Sequence, residues 1–185
     1  MSEKSSDFTA LARKRQSVRS YSTKTVEPEI LERCIEAARL APSACNSQPW
    51  KFIVVTDPNL RYQVADTTSN RILPLNHFTK EAPVLVVVVR ENANFTSKMG
   101  EIIRDKKFTL MDIGITTVHF CLQAASEGLG TCMLGWFDES RVKKLLNIPR
   151  NKRAELIITV GYPKDETIRN KKRKNFTEII SYNSY

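Results

Sequence analysis

The chain has 185 residues, 41% hydrophobic and 26% charged, which excludes a disordered or collagen-like polypeptide and gives one domain, residues 1–185, enough length to bury a core. No apolar run reaches the ~20 residues of a membrane span, and Met1–Asp7 lack the apolar middle of a secretion signal, so a cytoplasmic protein without membrane contact is expected. The net charge of +9 is concentrated: residues 13–19 carry four cations and residues 169–174 carry five, with no acid in either window, and the rest of the chain is balanced.

In chain order, Phe8, Leu11 and Ala12 predict a helix over 8–15, capped by Ser6 or Asp7. Pro28 opens a second helix with the stripe Ile30, Leu31, Cys34, Ile35 and Ala38, and Pro42 stops it. Phe52–Thr56 predicts a short strand ended by Asp57-Pro58, and 59–80 a helix broken at Pro74. Val84–Val89 is too uniformly aliphatic to have a solvent face and reads as a central strand covered on both sides. A polar surface segment, 91–107, separates it from a helix over Thr109–Glu127. Met111, Ile113, Ile115, Val118, Cys121, Leu122 and Ala125 there imply burial on most sides, in part at a subunit interface. Gly128 ends that helix. A strand over Thr131–Leu134, a helix capped by Asp138 and a strand over Leu156–Val160 follow. Helices cluster instead of alternating with strands, which predicts an α+β fold. Phe176–Tyr185 has apolar residues but no core of its own, as an arm lying on a partner would.

Two segments carry the chemistry. In Arg15-Gln16-Ser17-Val18-Arg19, an extended backbone points two guanidiniums and a hydroxyl to one side, which suits a phosphate or another anion. In Pro42-Ser43-Ala44-Cys45-Asn46-Ser47-Gln48-Pro49-Trp50, two prolines bracket small polar residues whose free backbone groups suit a flat polar ligand. Neither Gly-x-Gly-x-x-Gly nor a Walker pattern is present, so side chains must hold any phosphate. Cys34, Cys45, Cys121 and Cys132 form no Cys-x-x-Cys pair and no histidine has zinc spacing, so structural thiols and no metal are expected, Cys45 being the exposed one. Basic runs without interleaved aromatics or a recognised motif argue against nucleic acid as a partner.

Taken in this order, the two segments resemble the amino-terminal signature of the nitroreductase family of flavin mononucleotide (FMN) enzymes, and Asn76, Ala82-Pro83, Gly135-Trp136, Gly161-Tyr162-Pro163 and Arg173 extend the match along nearly the whole chain. The resemblance implies a mostly antiparallel sheet surrounded by helices, in an intertwined homodimer with exchanged C-terminal arms. It implies that FMN lies at the subunit interface, reduced by NADH or NADPH and reoxidised by a flat electron-poor acceptor such as a nitroaromatic or quinone. By the same resemblance Arg15, Ser17 and Arg173 hold the phosphate, joined by Lys171, Gln16 belongs to the cofactor-binding set, and Arg19 and Asn76 (with Asn70 as the alternative) meet the ring edge. Pro42, Ser43, Ala44 and Asn46 reach the flavin of the other protomer, Ala44 standing where many relatives carry a second serine. Leu134 and Gly135 bring a backbone amide to N5. Trp136 and Phe137 either wall the cleft or pack in the core. No catalytic side chain is implied, and other flavin chemistry, or flavin storage, fits the same scaffold.

Overall fold

The computed structural model describes residues 4–69, 75–94, 96–97 and 106–185. Asn70 and Pro74, and residues 98–105 of the polar segment, lie outside the described residues. Helix α1 spans Lys4–Lys14, so Ser6 and Asp7 lie inside its first turn and do not cap it. Helix α2, Pro28–Arg39, starts on its proline as expected. Strand β1 is Trp50–Val55, and helix α3, Pro58–Asp66, is capped by the Asp57 carboxylate, which accepts from Leu60 N at 2.7 Å. Strand β2 is Val84–Arg90 and helix α4 is Phe108–Ser126. Strand β3 (Gly130–Leu134), helix α5 (Glu139–Leu145, capped by Asp138 accepting from Arg141 N) and strand β4 (Arg153–Gly161) follow.

The four strands form one sheet in the order β1-β2-β4-β3, antiparallel throughout. Helices lie on both faces, so the expected α+β class and antiparallel sheet hold. The valines of β2 divide by parity. Leu85, Val87 and Val89 face the core beneath α3 and α5, whereas Val84, Val86 and Val88 face the core beneath α2 and α4. All six are at most 3% exposed. Burying each side chain contributes roughly 1.5–3 kcal/mol, and this is why a run without polar alternation forms the central strand.

Helix α4 is only partly covered by its own chain. It buries Ile113, Phe120, Cys121 and Ala124 against α2 and the sheet but leaves Leu110, Met111, Ile115 and Val118 exposed, so one chain covers only part of it. It is also long and apolar enough, by length and composition, to cross a membrane, although half of it is buried within the chain. Its C-terminal end is clamped to α2 by a two-pronged ion pair, Arg33 Nε and Nη2 donating to the Glu127 carboxylate at 2.7 and 2.8 Å. This pair holds the Glu127 carboxyl down to about 2 from its ordinary 4.5. Stabilisation from a carboxylate so depressed is complete above the ordinary value and disappears as pH falls toward the folded one. Thermal melting of Glu127→Gln should therefore fall slightly below that of the unaltered protein at pH 7, and the gap should close between pH 4.5 and 2.

The cysteines sort as expected. Cys34, Cys121 and Cys132 are buried and Cys45 is exposed. Burial pushes the Cys34 thiol up to about 12 and raises Cys121 and Cys132, the behaviour of packing groups and not of nucleophiles.

Candidate active site

After α1 the backbone extends along the outer edge of the sheet. Ser17 bridges Thr131 in parallel fashion and Val18 N donates to Thr131 O at 2.9 Å. Val18 turns inward beneath Gly130, where an added Cβ would lie 2.5 Å from Val18 Cγ2 and 2.7 Å from Val18 Cβ. Only glycine lets the segment lie this close. Further along, the buried Tyr21 hydroxyl donates to Val18 O at 2.9 Å and lies 2.5 Å from Thr159 Oγ1; burial raises its pKa. With Val18 inward, Arg15, Ser17 and Arg19 all line one cleft of about 280 Å³, together with Gln16, Arg169, Asn170, Lys171 and Arg173.

The two basic runs that stand out in the sequence thus meet, but their members differ in use. Gln16 is a strut: Nε2 donates to Thr167 O at 2.9 Å and Oε1 accepts from Arg169 N at 3.1 Å. Lys171 directs its ammonium to the carbonyls of Ala12, Arg13 and Arg15, which occupies all three donors and places a cation at the C-terminal end of α1. Partial desolvation, then the charges of Arg15, Arg173 and Arg169, hold its pKa below the ordinary value. Arg173 donates to Lys172 O at 2.8 Å, and Arg169 donates to Ser17 O. Arg19 lies over the Phe78 ring, 6.0 Å from its centroid. Among the described residues no carboxylate forms an ion pair with Arg15, Arg19, Arg169, Lys171 or Arg173. Asp165 and Glu166 line the adjoining pocket with Arg15, but a cation cluster with no carboxylate paired to it still raises the local potential and favours an anion.

Asn76 adopts φ +61 ahead of a short 3₁₀ turn, and its Nδ2 donates to Thr68 O at 3.2 Å. Asp138 N donates to the neighbouring Thr67 O at 2.9 Å, so the turn after β3 and the Asn76 turn share one support. Leu134 is buried and Gly135 exposed. A Cβ on Gly135 would meet nothing within 4 Å, and its φ is not in the left-handed range, so neither packing nor a turn of this chain calls for glycine there. Trp136 is 63% exposed, whereas Phe137 packs against the core; the two aromatics have different roles.

The Pro42–Gln48 loop lies elsewhere. It precedes β1, at the Trp50↔Arg90 end of the sheet, whereas Ser17 meets β3 near the Gly130↔Gly161 end. Three inter-strand spacings and the length of β4 from Gly161 back to Arg153 separate these diagonal corners, roughly 30 Å at standard strand geometry. Helix α4 gives an independent ruler. Asp112 near its start accepts from Ala44 N at 3.1 Å, and Ala125 near its end lines the pocket beside Arg15, about 20 Å further along at the usual helical rise.

Cys45, Asn46 and Gln48 have φ of +51, +50 and +47. Each non-glycine residue there costs on the order of 1 kcal/mol, least for asparagine. Hydrogen bonds hold the shape: Gln48 N donates to Ser43 Oγ at 2.9 Å, and Asn46 N and Ser47 N donate to Ser43 O and Ala44 O at 3.0 Å. The free backbone amides expected from sequence are therefore largely used within the loop. Pro42, Cys45, Asn46 and Gln48 are exposed, Gln48 Nε2 donating to Asn46 Oδ1 at 3.0 Å, and Ser43 is half-buried.

A model of the nitroreductase family matches residues 12–76 and 66–162. The chain belongs to the nitroreductase family. A relative from Archaeoglobus fulgidus, provisionally named NADH dehydrogenase/NAD(P)H nitroreductase, is 34% identical over 157 residues, 82% of this chain and 83% of its own. The iodotyrosine deiodinase of Thermotoga neapolitana is 27% identical over 95% of this chain and 97% of its own. Among solved structures, the FMN-dependent nitroreductase of Clostridium difficile R20291 superposes with a TM-score of 0.74 at 25% identity, over 96% of this chain and 99% of that one. Membership supports an oxidoreductase with the nitroreductase fold.

Three residues escaped the sequence reading. Arg169 lines the cleft, and its alternation with Lys171 and Arg173 was a usable signal. Asp112 is a buried acid, 3% exposed, within an apolar helix. Asn94 looked like any polar loop residue.

Proposed function

We propose that this nitroreductase-family chain is a homodimeric FMN enzyme that takes hydride from NADH or NADPH and passes it to a flat electron-poor acceptor, a nitroaromatic or quinone, in alternating half-reactions. The observation that carries the proposal is the unneutralised cation cleft of Arg15, Arg19, Arg169 and Arg173. It suits the phosphate of a mononucleotide by charge and donor geometry. FMN, when bound, supplies the hydride-accepting and hydride-donating ring.

The chain's own residues bind and orient. Arg15 and Ser17 grip the phosphate with Arg169 and Arg173, while Gln16 and Lys171 fix the two segments relative to each other. Arg19 faces the pyrimidine side of the ring and stabilises the negative charge that reduction brings there. Asn76 adds an amide at the same edge. The open space over Gly135, beyond Leu134, admits close approach of the ring to the backbone. Pro42, Ser43, Ala44 and Asn46 complete the site from the partner. Ala44 offers no hydroxyl and its N–H is taken by Asp112, so it contributes contact surface only. The separation of the two corners supports a dimer, since a mononucleotide is too short to touch both in one chain. The exposed side chains of α4 and of Phe176, Ile179 and Tyr182 supply apolar surface for the partner and for an exchanged arm. The reliance on reduced nicotinamide supports a cytoplasmic location.

Purified protein should be yellow and dimeric, and anaerobic NADPH or NADH should bleach its flavin band. Removal of residues 176–185 should shift it toward monomer and release the flavin. A colourless protein that stays so with added FMN would refute the proposal. The deiodinase likeness supports a second acceptor class, halogenated phenols, and anaerobic reoxidation with an iodotyrosine against a quinone decides between them.

A further inference from the structure

We infer that Asn94 is a positioning residue for the cofactor loop, holding Ser43–Gln48 in the left-handed shape that presents Ser43 and Asn46 to the partner's flavin. The inference rests on the proposed FMN site and adds a residue to it. Asn94 lies four residues beyond β2 and nearly fifty from the loop in sequence, yet it binds the loop twice. Its backbone N–H donates to Ser47 Oγ at 2.9 Å, and its side-chain Nδ2 donates to Cys45 O at 2.9 Å. The remaining side-chain atom, Oδ1, accepts from Ser97 N at 2.9 Å and ties Asn94 into its own turn. One residue is thus fixed on one side by its turn and grips the loop on the other.

The gripped atoms are the ones that matter for shape. Cys45 and Asn46 have consecutive positive φ values, and a carbonyl accepting from a rigid donor fixes the peptide plane between them. Glu91 N donating to Pro49 O at 3.0 Å holds the chain leading to Asn94 alongside the chain leaving the loop. On the other side Ala44 N is bound by Asp112. The loop is therefore held between helix α4 and the Asn94 turn. Left without the Asn94 grip, Cys45 and Asn46 relax toward ordinary negative φ values, and the Asn46 side chain swings away from its present direction.

Asn94→Asp replaces the Nδ2 donor with an anionic oxygen facing Cys45 O, while keeping the Oδ1 acceptor for Ser97 and the backbone bond to Ser47. Asn94→Ala removes both side-chain bonds. Because the grip is exposed, both variants should melt within a degree or two of the unaltered protein. FMN dissociation constants, titrated at 0.3 M salt to suppress the added charge of the aspartate, should rise by roughly tenfold in both. Amide hydrogen exchange in the FMN-free proteins should quicken at Asn46, Ser47 and Gln48 but not in β1 or α4. Unaltered FMN affinity in both variants, or unaltered loop exchange in both, would overturn the inference. If the unaltered protein itself fails to bind FMN, the proposed function falls and the inference with it. If it binds and the variants bind equally well, only the inference falls.

Discussion

Arg15→Ala is expected to weaken FMN binding by roughly 10- to 100-fold. A charge-assisted hydrogen bond to a phosphate is worth about 1.5–3 kcal/mol, and each 1.4 kcal/mol is a factor of ten. Arg15 sits where the N-terminal and C-terminal basic segments meet, with no carboxylate paired to it in the described structure. Removing its charge takes away attraction for the ligand and also relieves repulsion of Lys171. The FMN-free variant should therefore melt no lower than the unaltered protein. Arg15→Lys keeps the charge but loses the forked donor geometry, and should fall between the two. The contrast with Lys171→Ala is informative. Lys171 spends its donors on the end of α1, so its loss should lower the melting temperature as well as FMN affinity. Flavin fluorescence quenching at several salt concentrations checks both. An Arg15→Ala protein that binds FMN as tightly as the unaltered one would remove the phosphate role of this cleft.

The second large effect is expected at Gly130. The Cβ of Gly130→Ala would fall 2.5, 2.7 and 2.9 Å from Val18 Cγ2, Cβ and Cγ1. Turning the valine relieves the two methyl contacts but not the one with its Cβ, so the backbone must move. Overpacking of this kind costs typically 1–3 kcal/mol, which lowers the melting temperature of a protein this size by about 2–4 °C per kcal/mol. The moving backbone carries Ser17 and Arg19 outward, so FMN affinity should drop too. Adding Val18→Gly should restore part of both, since it removes the clashing Cβ together with the two methyl groups. Thermal melts and FMN titrations of the single and double variants form the cycle. Additive losses in the double variant would show that Val18 is not what Gly130 accommodates.

Much of the scaffold is legible because it follows from local rules. The valine run of β2, Pro28 at the start of α2 and Asp138 at the start of α5 each announce themselves by residue type and spacing. The site is legible only as far as segment pattern goes. Arg15, Ser17 and Arg19 line one cleft with Arg169, Lys171 and Arg173, but identical-looking cations within that run have unlike tasks. Lys171 caps a helix while Arg169 braces Ser17, a division decided by where the backbone passes and by no property of the residues alone. Which side chains of α4 its own chain leaves uncovered could not be read, because periodicity reports how many faces are apolar but not which neighbour covers each. The positive φ values of Cys45 and Gln48 have no sequence signature, since neither residue favours that conformation.

The diagonal placement of the two corners has a genetic consequence if each flavin draws on both chains. A copy stripped of Arg15, Arg169 and Arg173 together and a copy damaged at Ser43 and Asn46 should each be inactive as pure populations. Mixed pairs of the two still assemble one unharmed cofactor pocket, from the sound half of each. Two null alleles of this gene should therefore rescue one another when co-expressed, whereas two alleles damaged at the same corner should not.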